Sequence, residues 1–359
     1  MRGLINLFVQ YNPRLGRIGD SGKTDCLQCP LTVNKHIAKL LDEIPSETSA
    51  RERRFLYIFF STIWSGEKDV IEVGPFLGGT TRAIALGMCA NPKVTEKSML
   101  LTFDRFYGYY DLQRLAEYLA PLVSTGVLQQ SDIDALGEAA EFMDIFDRLH
   151  SGHEYYNRIT AFNQQLPDKP EDLHKEKLFL QIPDNTLSDA VFIDGCKSWF
   201  GTKYFMTEVC KAARTGTYFI FQDYGWYTCF WLPAFIELLK DFFQIIGYVD
   251  TTYVFMLRKP LNSDEIGMQY PDKPFELGEE RVIAIFDSLI KWALDRSDHF
   301  AVIRHSLQCA GALAYLGNKR KAKAMISELK NNPWAAGHKK IIDRALCSPT
   351  YSPDGPIYL

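Results

Sequence analysis

The 359-residue sequence lacks an excess of positive charge: 40 lysines and arginines stand against 44 aspartates and glutamates, which gives a net charge of −4. A chain without a basic surplus has no global field for a polyanion, so we expect no nucleic-acid partner. With 47% hydrophobic and 23% charged residues, it is also unlike a disordered or collagen-like chain. We therefore expect a globular protein with a sizeable core and more than one structural unit.

Long apolar runs are absent as well. The longest, residues 55–64, is interrupted by Ser61 and Thr62 and is about half of the roughly 20 residues that cross a bilayer. The opening residues 1–9 are followed by polar residues and Pro13, too soon for the apolar region of a secretory signal. We expect no membrane contact and a cytoplasmic location.

Cysteine pairs with metal-ligand spacing are scarce. Cys26 and Cys29 lie close together, but no second such pair follows them among the eight cysteines. They are either two loop cysteines or half of a zinc site, because a structural zinc ion takes four ligands. Cys210 and Cys309 lie in apolar segments, as reduced thiols of a cytosolic protein do.

A strand–turn–helix pattern is present at residues 69–88. The apolar stretch 69–73 predicts a strand, and a glycine-rich turn then leads into a helical pattern. Gly74 permits a tight turn, and we expect the missing side chains of Gly78 and Gly79 to let the backbone approach a ligand. Their spacing, G-x-x-x-G-G, differs from the G-x-G-x-x-G of dinucleotide-binding turns.

Acidic residues end the predicted strands. Glu72 would repel a pyrophosphate but suit a cationic ligand such as S-adenosylmethionine (SAM), which carries an ammonium and a sulfonium. A purely structural glycine turn remains the alternative. Asp104, at the end of the strand at 99–104, can accept two hydrogen bonds from a ribose diol. Two more predicted strands end in Asp194 and Asp223. Strands alternating with helices predict a parallel sheet whose carboxyl ends form one crevice.

The segments around this sheet predict the domain organisation. We expect a helical N-terminal segment at 1–66, a core at 67–260 with a helical insertion at about 106–180, and a small all-helical unit at 275–359. The insertion is either a lid or a structural elaboration. The proline-containing stretch 260–279 indicates a linker. The C-terminal helices are interpreted as a homodimer interface or a packing buttress.

These motifs resemble those of class I SAM-dependent methyltransferases, in the branch that includes macrocin O-methyltransferase-like enzymes of natural-product biosynthesis. The resemblance covers about residues 50–258, and the motifs that carry it are Glu72–Thr81, Phe103–Asp104, Val191–Gly195 and Gln222–Tyr224. It implies a Rossmann-like α/β fold and transfer of the SAM methyl group to a small-molecule acceptor, most simply at an oxygen.

The same resemblance implies the site residues. Those expected to bind SAM are Glu72, Gly74, Pro75, Phe76, Gly78, Gly79, Thr80, Thr81, Asp104, Arg105 and Asp194. Asp194 and Asp223 would lie near the transferred methyl group. In metal-dependent members, acids at these two positions bind Mg²⁺, which orients a substrate hydroxyl.

The chain departs from that pattern at two points. Relatives often read I-D-G-D-H-S-Y where residues 193–199 read I-D-G-C-K-S-W, so the second acid and the histidine are missing. Gln222 replaces one acid of a pair that ends in Asp223. Magnesium at Asp194 and Asp223 is therefore left open.

The candidate catalytic residues are Asp194, Lys197 and Asp223. Lys197 would serve as a base only if burial lowered its pKa, and a solvated or paired lysine is the alternative. His150 and His153 are the other candidate bases, each also interpretable as structural.

Further alternatives stay open at this stage. The aromatic residues Trp199, Tyr224, Trp226 and Tyr227 either line an acceptor pocket or pack in the core. A hydroxylase or oxidoreductase on the same sheet, and a catalytically silent SAM-binding interaction protein, are the rival functions.

Overall fold

The computed structural model describes residues 31–175, 177–347 and Ile357. The predictions for the opening segment and for Cys26 and Cys29 lie outside the described residues. Within them the chain divides into two compact units. The first unit comprises residues 31–165 and 178–195. The second comprises residues 166–177 and 196–347, apart from position 176. In this part of the chain, every helix is too short or too polar to cross a membrane.

The first unit contains four parallel strands, in the order β3-β2-β1-β4. They are β1 (Asp69–Val73), β2 (Leu100–Asp104), β3 (Ile159–Asn163) and β4 (Ser188–Ile193). Val73 of β1 is paired with Phe103 of β2 and with Ile193 of β4. The chain therefore leaves these three strands at the same level, as the alternation of strands and helices predicts.

The helices of the first unit precede and connect these strands. They are α1 (Lys35–Glu43), α2 (Ala50–Thr62), α3 (Gly79–Ala90), α4 (Leu112–Ser124), α5 (Gln130–Asp134) and α6 (Met143–His150). A reciprocal capping box of Ser49 and Glu52 starts α2. Apolar residues of α4 and α6 share one buried cluster with Ile44 and Leu77. These helices thus pack directly against the glycine-rich turn that contains Leu77.

The second unit contains three antiparallel-paired strands, β5 (Ala213–Phe221), β6 (Phe243–Val249) and β7 (Thr252–Leu257). The strand order over the described residues is β3-β2-β1-β4-β5-β7-β6, a seven-stranded mixed sheet. This order, with helices between the parallel strands, confirms the predicted Rossmann-like α/β fold class.

The remaining helices are α7 (Trp199–Val209), α8 (Trp231–Leu238), α9 (Ser263–Gln269), α10 (Gly278–Leu294), α11 (His299–Tyr315), α12 (Lys319–Lys330) and α13 (Lys339–Cys347). The last four elements of this set, from 278 onward, are helical as predicted. The predicted linker at 260–279 is instead partly helical, because Asn262 and Glu265 form a capping box that starts α9.

The predicted insertion at about 106–180 also differs from the structure. It contains α4, α5 and α6 as expected, but it also contains β3, which pairs with β2 from Leu100 to Asp104. All five β3 residues are partly or fully exposed, so the stretch lacks the continuous apolar run of a buried strand. The proposed domain boundaries at 66 and 260 stay predictions.

Candidate functional site

The turn after β1 is built on close contact between two backbones. Gly74 adopts φ +82°, and a Cβ on it would lie 2.5 Å from the backbone nitrogen of Gly195. The N–H groups of Asp194 and Gly195 both donate to the carbonyl of Val73, each at 2.9 Å. Glycine is therefore required at position 74 both for its conformation and for space. The ends of β1 and β4 meet here.

Gly78 and Gly79 lie close to other parts of the protein. A Cβ on Gly78 would lie 2.7 Å from Cε1 of His150, and one on Gly79 would lie 2.7 Å from Cβ of Ser46. Their missing side chains make room for protein groups, and their predicted contact with a ligand stays a prediction. Gly78, at φ +85°, directly precedes α3, where backbone N–H groups can still face an anionic or polar ligand.

Asp104 joins the end of β2 to this turn. Its carboxylate accepts hydrogen bonds from the N–H of Phe76 (3.2 Å) and from the N–H of Phe106 (3.0 Å). Burial raises the pKa of the Asp104 carboxyl, and the N–H donors of Phe106 and Phe76 oppose that rise. The backbone N–H of Arg105 is a third donor to this carboxylate. A carboxylate has about four acceptor positions, so one remains for a ligand hydroxyl.

Phe76 is held in an unusual conformation by that bond. Its φ is +51°, a left-handed value that costs a non-glycine residue roughly 1–2 kcal/mol. Its ring packs against Tyr109, Tyr110 and Phe142, with centroids 5.1–5.7 Å apart. Strained backbone of this kind clusters at functional sites. Nearby, Arg105 donates to the carbonyl of Gly108 at 2.9 Å.

Glu72 faces the protein and not an open space. It is fully buried, and its two carboxylate oxygens accept hydrogen bonds from the hydroxyls of Thr80 and Thr81, each at 2.7 Å. Burial raises the pKa of Glu72 to about 7, although these hydroxyls lower it, and the nearby Asp194 raises it further. Glu72 therefore ties β1 to the start of α3, and its predicted contact with SAM stays a prediction.

We expect Glu72→Gln to flatten the pH dependence of stability. Because the pKa is about 7 in the folded state and 4.5 in the ordinary carboxyl, this group's stabilisation is complete below pH 4.5 and is lost as pH rises through 7. At 1.36 kcal/mol per pKa unit, the contribution of Glu72 to the free energy of unfolding changes by on the order of 3 kcal/mol over this pH range. Glutamine does not titrate, so the variant should be relatively more stable at pH 8 than at pH 5.

The measurement is urea unfolding of both proteins at the two pH values. Glu141→Gln, at an exposed position of the same unit, is the matched control and should follow the wild-type profile. Identical pH profiles for wild type and Glu72→Gln would contradict a raised pKa at Glu72.

The two histidines proposed as alternative bases belong to a buried network behind the turn. His150 Nε2 lies 3.2 Å from the carbonyl oxygen of Leu77, and His150 Nδ1 lies 3.1 Å from the hydroxyl of Tyr155. Burial, and then the charge of Arg82, lower the pKa of His150 to about 3. His150 is thus neutral at ordinary pH, and its contacts indicate that it positions the turn.

The tautomer of His150 follows from its partners. A carbonyl oxygen only accepts, so Nε2 carries the proton and donates to Leu77. Nδ1 then accepts from the Tyr155 hydroxyl, whose oxygen in turn accepts from Nε of Arg82 at 2.7 Å. His153 contacts the same guanidinium, with Nε2 at 3.2 Å from an Arg82 Nη. Both histidines are therefore engaged structurally.

Lys197 and Asp223 form an ion pair in the second unit. Lys197 Nζ lies 2.5 Å from Asp223 Oδ2, and the two side chains are 37% and 18% exposed. Both side chains are therefore partly accessible to solvent. Asp194 belongs to the first unit, beside Gly74 and Glu72. The structure thus brings the predicted cofactor residues together in one unit and the two predicted catalytic residues Lys197 and Asp223 together in the other.

The four aromatic candidates divide into two groups. Trp199, Tyr224 and Tyr227 are buried, and the ring of Trp199 stacks on that of Tyr270 with centroids 4.1 Å apart. Trp226 is half-buried, with its ring centroid 4.7 Å from that of Tyr227. Core packing accounts for the three buried rings, whereas Trp226 is partly exposed.

Sequence reasoning missed Gln308. Its side-chain Nε2 donates to the carbonyls of Tyr224 (2.8 Å) and Trp226 (2.9 Å), on both sides of the turn that follows Asp223. An isolated glutamine in an apolar helical pattern carries no sequence signal for such a contact, and it lies more than 80 positions along the chain.

Several solved methyltransferase structures are similar to this chain at low identity. The O-methyltransferase NovP shares 13% identity over 60% of this chain and 83% of its own, with a TM-score of 0.39. An O-methyltransferase from Bacillus cereus in complex with SAH shares 12% identity over 64% of this chain and 92% of its own, with a TM-score of 0.36. An SAH-bound methyltransferase from Podospora anserina shares 11% identity over 63% of this chain and 89% of its own, with a TM-score of 0.35.

No protein-family model and no curated protein sequence matches the chain. Identities this low leave its function to be inferred from its own residues.

Proposed function

We propose that the protein is a SAM-dependent methyltransferase acting on a small molecule, with an oxygen of a natural product as the acceptor atom. The observation that carries the proposal is the bond from the N–H of Phe76 to the carboxylate of Asp104. It joins a strand-end acid to the glycine-containing turn, a combination that suits a nucleoside with a charged amino-acid tail.

The residues around this bond fit the parts of SAM. Asp104 retains an acceptor position for a ribose hydroxyl. The N–H groups at the start of α3, after Gly78, suit the carboxylate of the amino-acid part. When bound, SAM supplies a methyl carbon activated by its sulfonium. The chain's contribution would be to orient the acceptor and to take its proton.

The test is isothermal titration of the full chain with SAM and with S-adenosylhomocysteine (SAH). We expect Asp104→Asn to weaken SAH binding roughly 10- to 100-fold, because the amide loses an acceptor for the ligand or for the N–H of Phe76 and Phe106. Asp134→Asn, at an exposed acid of the same unit, should bind as the wild type does.

Absence of SAM and SAH binding to the wild type would contradict the proposal. Binding of NAD in place of SAM would favour the oxidoreductase alternative. Tight SAH binding together with inactivity on a broad panel of hydroxylated acceptors would favour the silent interaction protein.

A further inference from the structure

The acids offered for magnesium do not form a metal site. The ammonium of Lys197 lies 2.5 Å from Asp223, where it neutralises the carboxylate and would repel a dication. Between residues 31 and 347, position 176 excepted, no three His, Cys, Asp or Glu side chains are gathered as metal ligands would be. A group of unmatched charges in the second unit is instead positive, and it lies in the last two helices.

These two helices, α12 and α13, carry an excess of lysine and arginine. Residues 319–344 contain eight basic residues but only two acids, Glu328 and Asp343, which gives a local net charge of +6. Because the whole chain has a net charge of −4, the rest of it carries −10. A local surplus of this size in an acidic protein attracts negatively charged partners to one part of its surface.

Three of the lysines lie on one face of α12. Lys319, Lys323 and Lys330 are spaced i, i+4 and i+11, which places them within about 40° of one another around the helix. Lys330 Nζ lies 2.9 Å from Oδ1 of Asp343, so this face lies beside α13. The bond from Lys330, and then the charges of Lys330 and Lys339, lower the pKa of Asp343. Lys339 therefore lies near the same acid, and these four lysines are called the basic row.

The basic row is not neutralised by the protein itself. Lys319, Lys323 and Lys339 occupy exposed positions and form no ion pair among the residues that the structure describes. Lys330 and Asp343 are 37% and 48% exposed, so water weakens their attraction and an incoming acid can share Lys330. The ammonium groups of the row are thus available to an anionic ligand.

The position of these charges does not serve helix stability. A helix N-terminus favours acids and disfavours cations. The helix α10 follows this rule, with Glu279 and Glu280 in its first turn. The first turns of α12 and α13 instead lack acids and begin with Lys319 and Lys339. Charges that are unfavourable for the fold and unpaired within it are better explained by binding.

We propose that the basic row is a docking surface for an acidic segment of a partner protein, bound in an extended conformation. Lys319 and Lys330 are separated by about 16 Å along the helix, a distance that about five extended residues span. Alternate side chains of an extended chain lie about 6.6 Å apart, close to the rise of about 6 Å from Lys319 to Lys323. Side-chain carboxylates would therefore meet successive ammonium groups. The proposal is independent of the methyltransferase function, because it uses α12 and α13 alone.

Other polyanions fit this surface less well. A single-stranded nucleic acid binds through aromatic faces as well as through its phosphates. Among residues 319–344 the only Phe, Tyr or Trp is Trp334, whose ring stacks on that of His299 with centroids 5.2 Å apart. A membrane-bound helix inserts apolar side chains into the lipid, whereas those of α12 are buried in the protein, namely Ala322, Ile326 and Leu329.

The two ends of the sequence do not supply such a segment either. Residues 1–30 contain four basic residues and two acids, and residues 348–359 contain one acid, Asp354. Neither stretch has the run of carboxylates that the basic row would bind. The acidic segment is therefore assigned to another molecule.

The test is fluorescence anisotropy of a fluorescein-labelled hexaglutamate peptide, titrated with the full chain at about 50 mM NaCl. We expect the wild type to bind this peptide but not labelled hexaglutamine, and about 300 mM NaCl to weaken binding at least tenfold. Lys319→Gln combined with Lys323→Gln should weaken binding at least fivefold, whereas arginine at both positions should retain most of it. The matched control is Lys211→Gln combined with Lys240→Gln, which removes two charges at exposed positions of the same unit.

Urea unfolding checks that the glutamine variant is folded. It should be at least as stable as the wild type, because it loses a cation from the start of α12. The proposal is overturned if hexaglutamate does not bind, if the variant at 319 and 323 binds it as tightly as the wild type, or if the control variant weakens binding equally.

Three further results would assign the surface to a different occupant and overturn the proposal. Tighter binding of a six-residue oligothymidylate than of hexaglutamate would indicate a nucleic-acid surface. Tighter binding of vesicles that contain phosphatidylserine would indicate a membrane surface. Self-association in sedimentation velocity that is lost in the variant at 319 and 323 would indicate a second copy of this chain.

Discussion

Gly74→Ala should lower the free energy of unfolding by about 3–5 kcal/mol and weaken SAH binding at least 100-fold. The left-handed φ costs an alanine roughly 1–3 kcal/mol, and overpacking adds a similar amount. The new Cβ would meet the backbone of Gly195 at 2.5 Å, and backbone cannot move aside as a flexible side chain can. Relief would separate the ends of β1 and β4, which shape the proposed cofactor site.

Gly126→Ala separates the two causes. Gly126 has a similar φ of +75°, but nothing lies within 4 Å of its Cβ position. Alanine there should cost only about 1 kcal/mol and leave SAH affinity unchanged. Urea unfolding and calorimetry on both variants measure the difference. If the two glycines proved equally tolerant, the contact between Gly74 and Gly195 would have no energetic importance.

Arg82→Met should destabilise the protein by about 3–5 kcal/mol, since it removes one partner from a buried polar network. The guanidinium is only 1% exposed. It donates to the Tyr155 hydroxyl and, at 2.6 Å, to the Leu149 carbonyl, and it is paired with Glu43. Methionine fills a similar volume but leaves the carboxylate and the carbonyl without this donor.

Lys291→Met is the control for that change. Lys291 is also paired with an acid, Asp295, at 3.1 Å, but the two side chains are 76% and 57% exposed. An exposed pair contributes about 0–1 kcal/mol, so unfolding should hardly change. Arg82→Met should also raise the hydrogen exchange of Leu77 and Gly78, because the Tyr155–His150 relay that reaches the Leu77 carbonyl would lose its first donor. Unchanged exchange there would show that the relay does not hold the turn.

The elements that sequence predicts well are those set by local pattern. The apolar stretch 69–73 and the glycines after it place β1 and its turn correctly, because strand ends and turns depend on adjacent residues. The position of Asp104 beside that turn also follows from general rules, since neighbouring parallel strands end at one edge.

The features that were missed depend on distant partners. A side chain at position 78 would collide with His150, which lies 72 positions further along the chain. The turn that follows Asp223 is held by Gln308. β3 escaped notice because it is a partly exposed strand of five residues. In each case the sequence near the residue is compatible with several structures, and only tertiary packing selects one.

The amide of Gln308 has a consequence for any engineered version of this chain. A protein shortened before α11, or a chimera that exchanges its last helices, would leave the carbonyls of Tyr224 and Trp226, in the turn after Asp223, without their donor. New sequences for that turn would have to be selected together with a compatible residue at position 308. The C-terminal helices and the turn after Asp223 would therefore have to be exchanged together, not as separable modules.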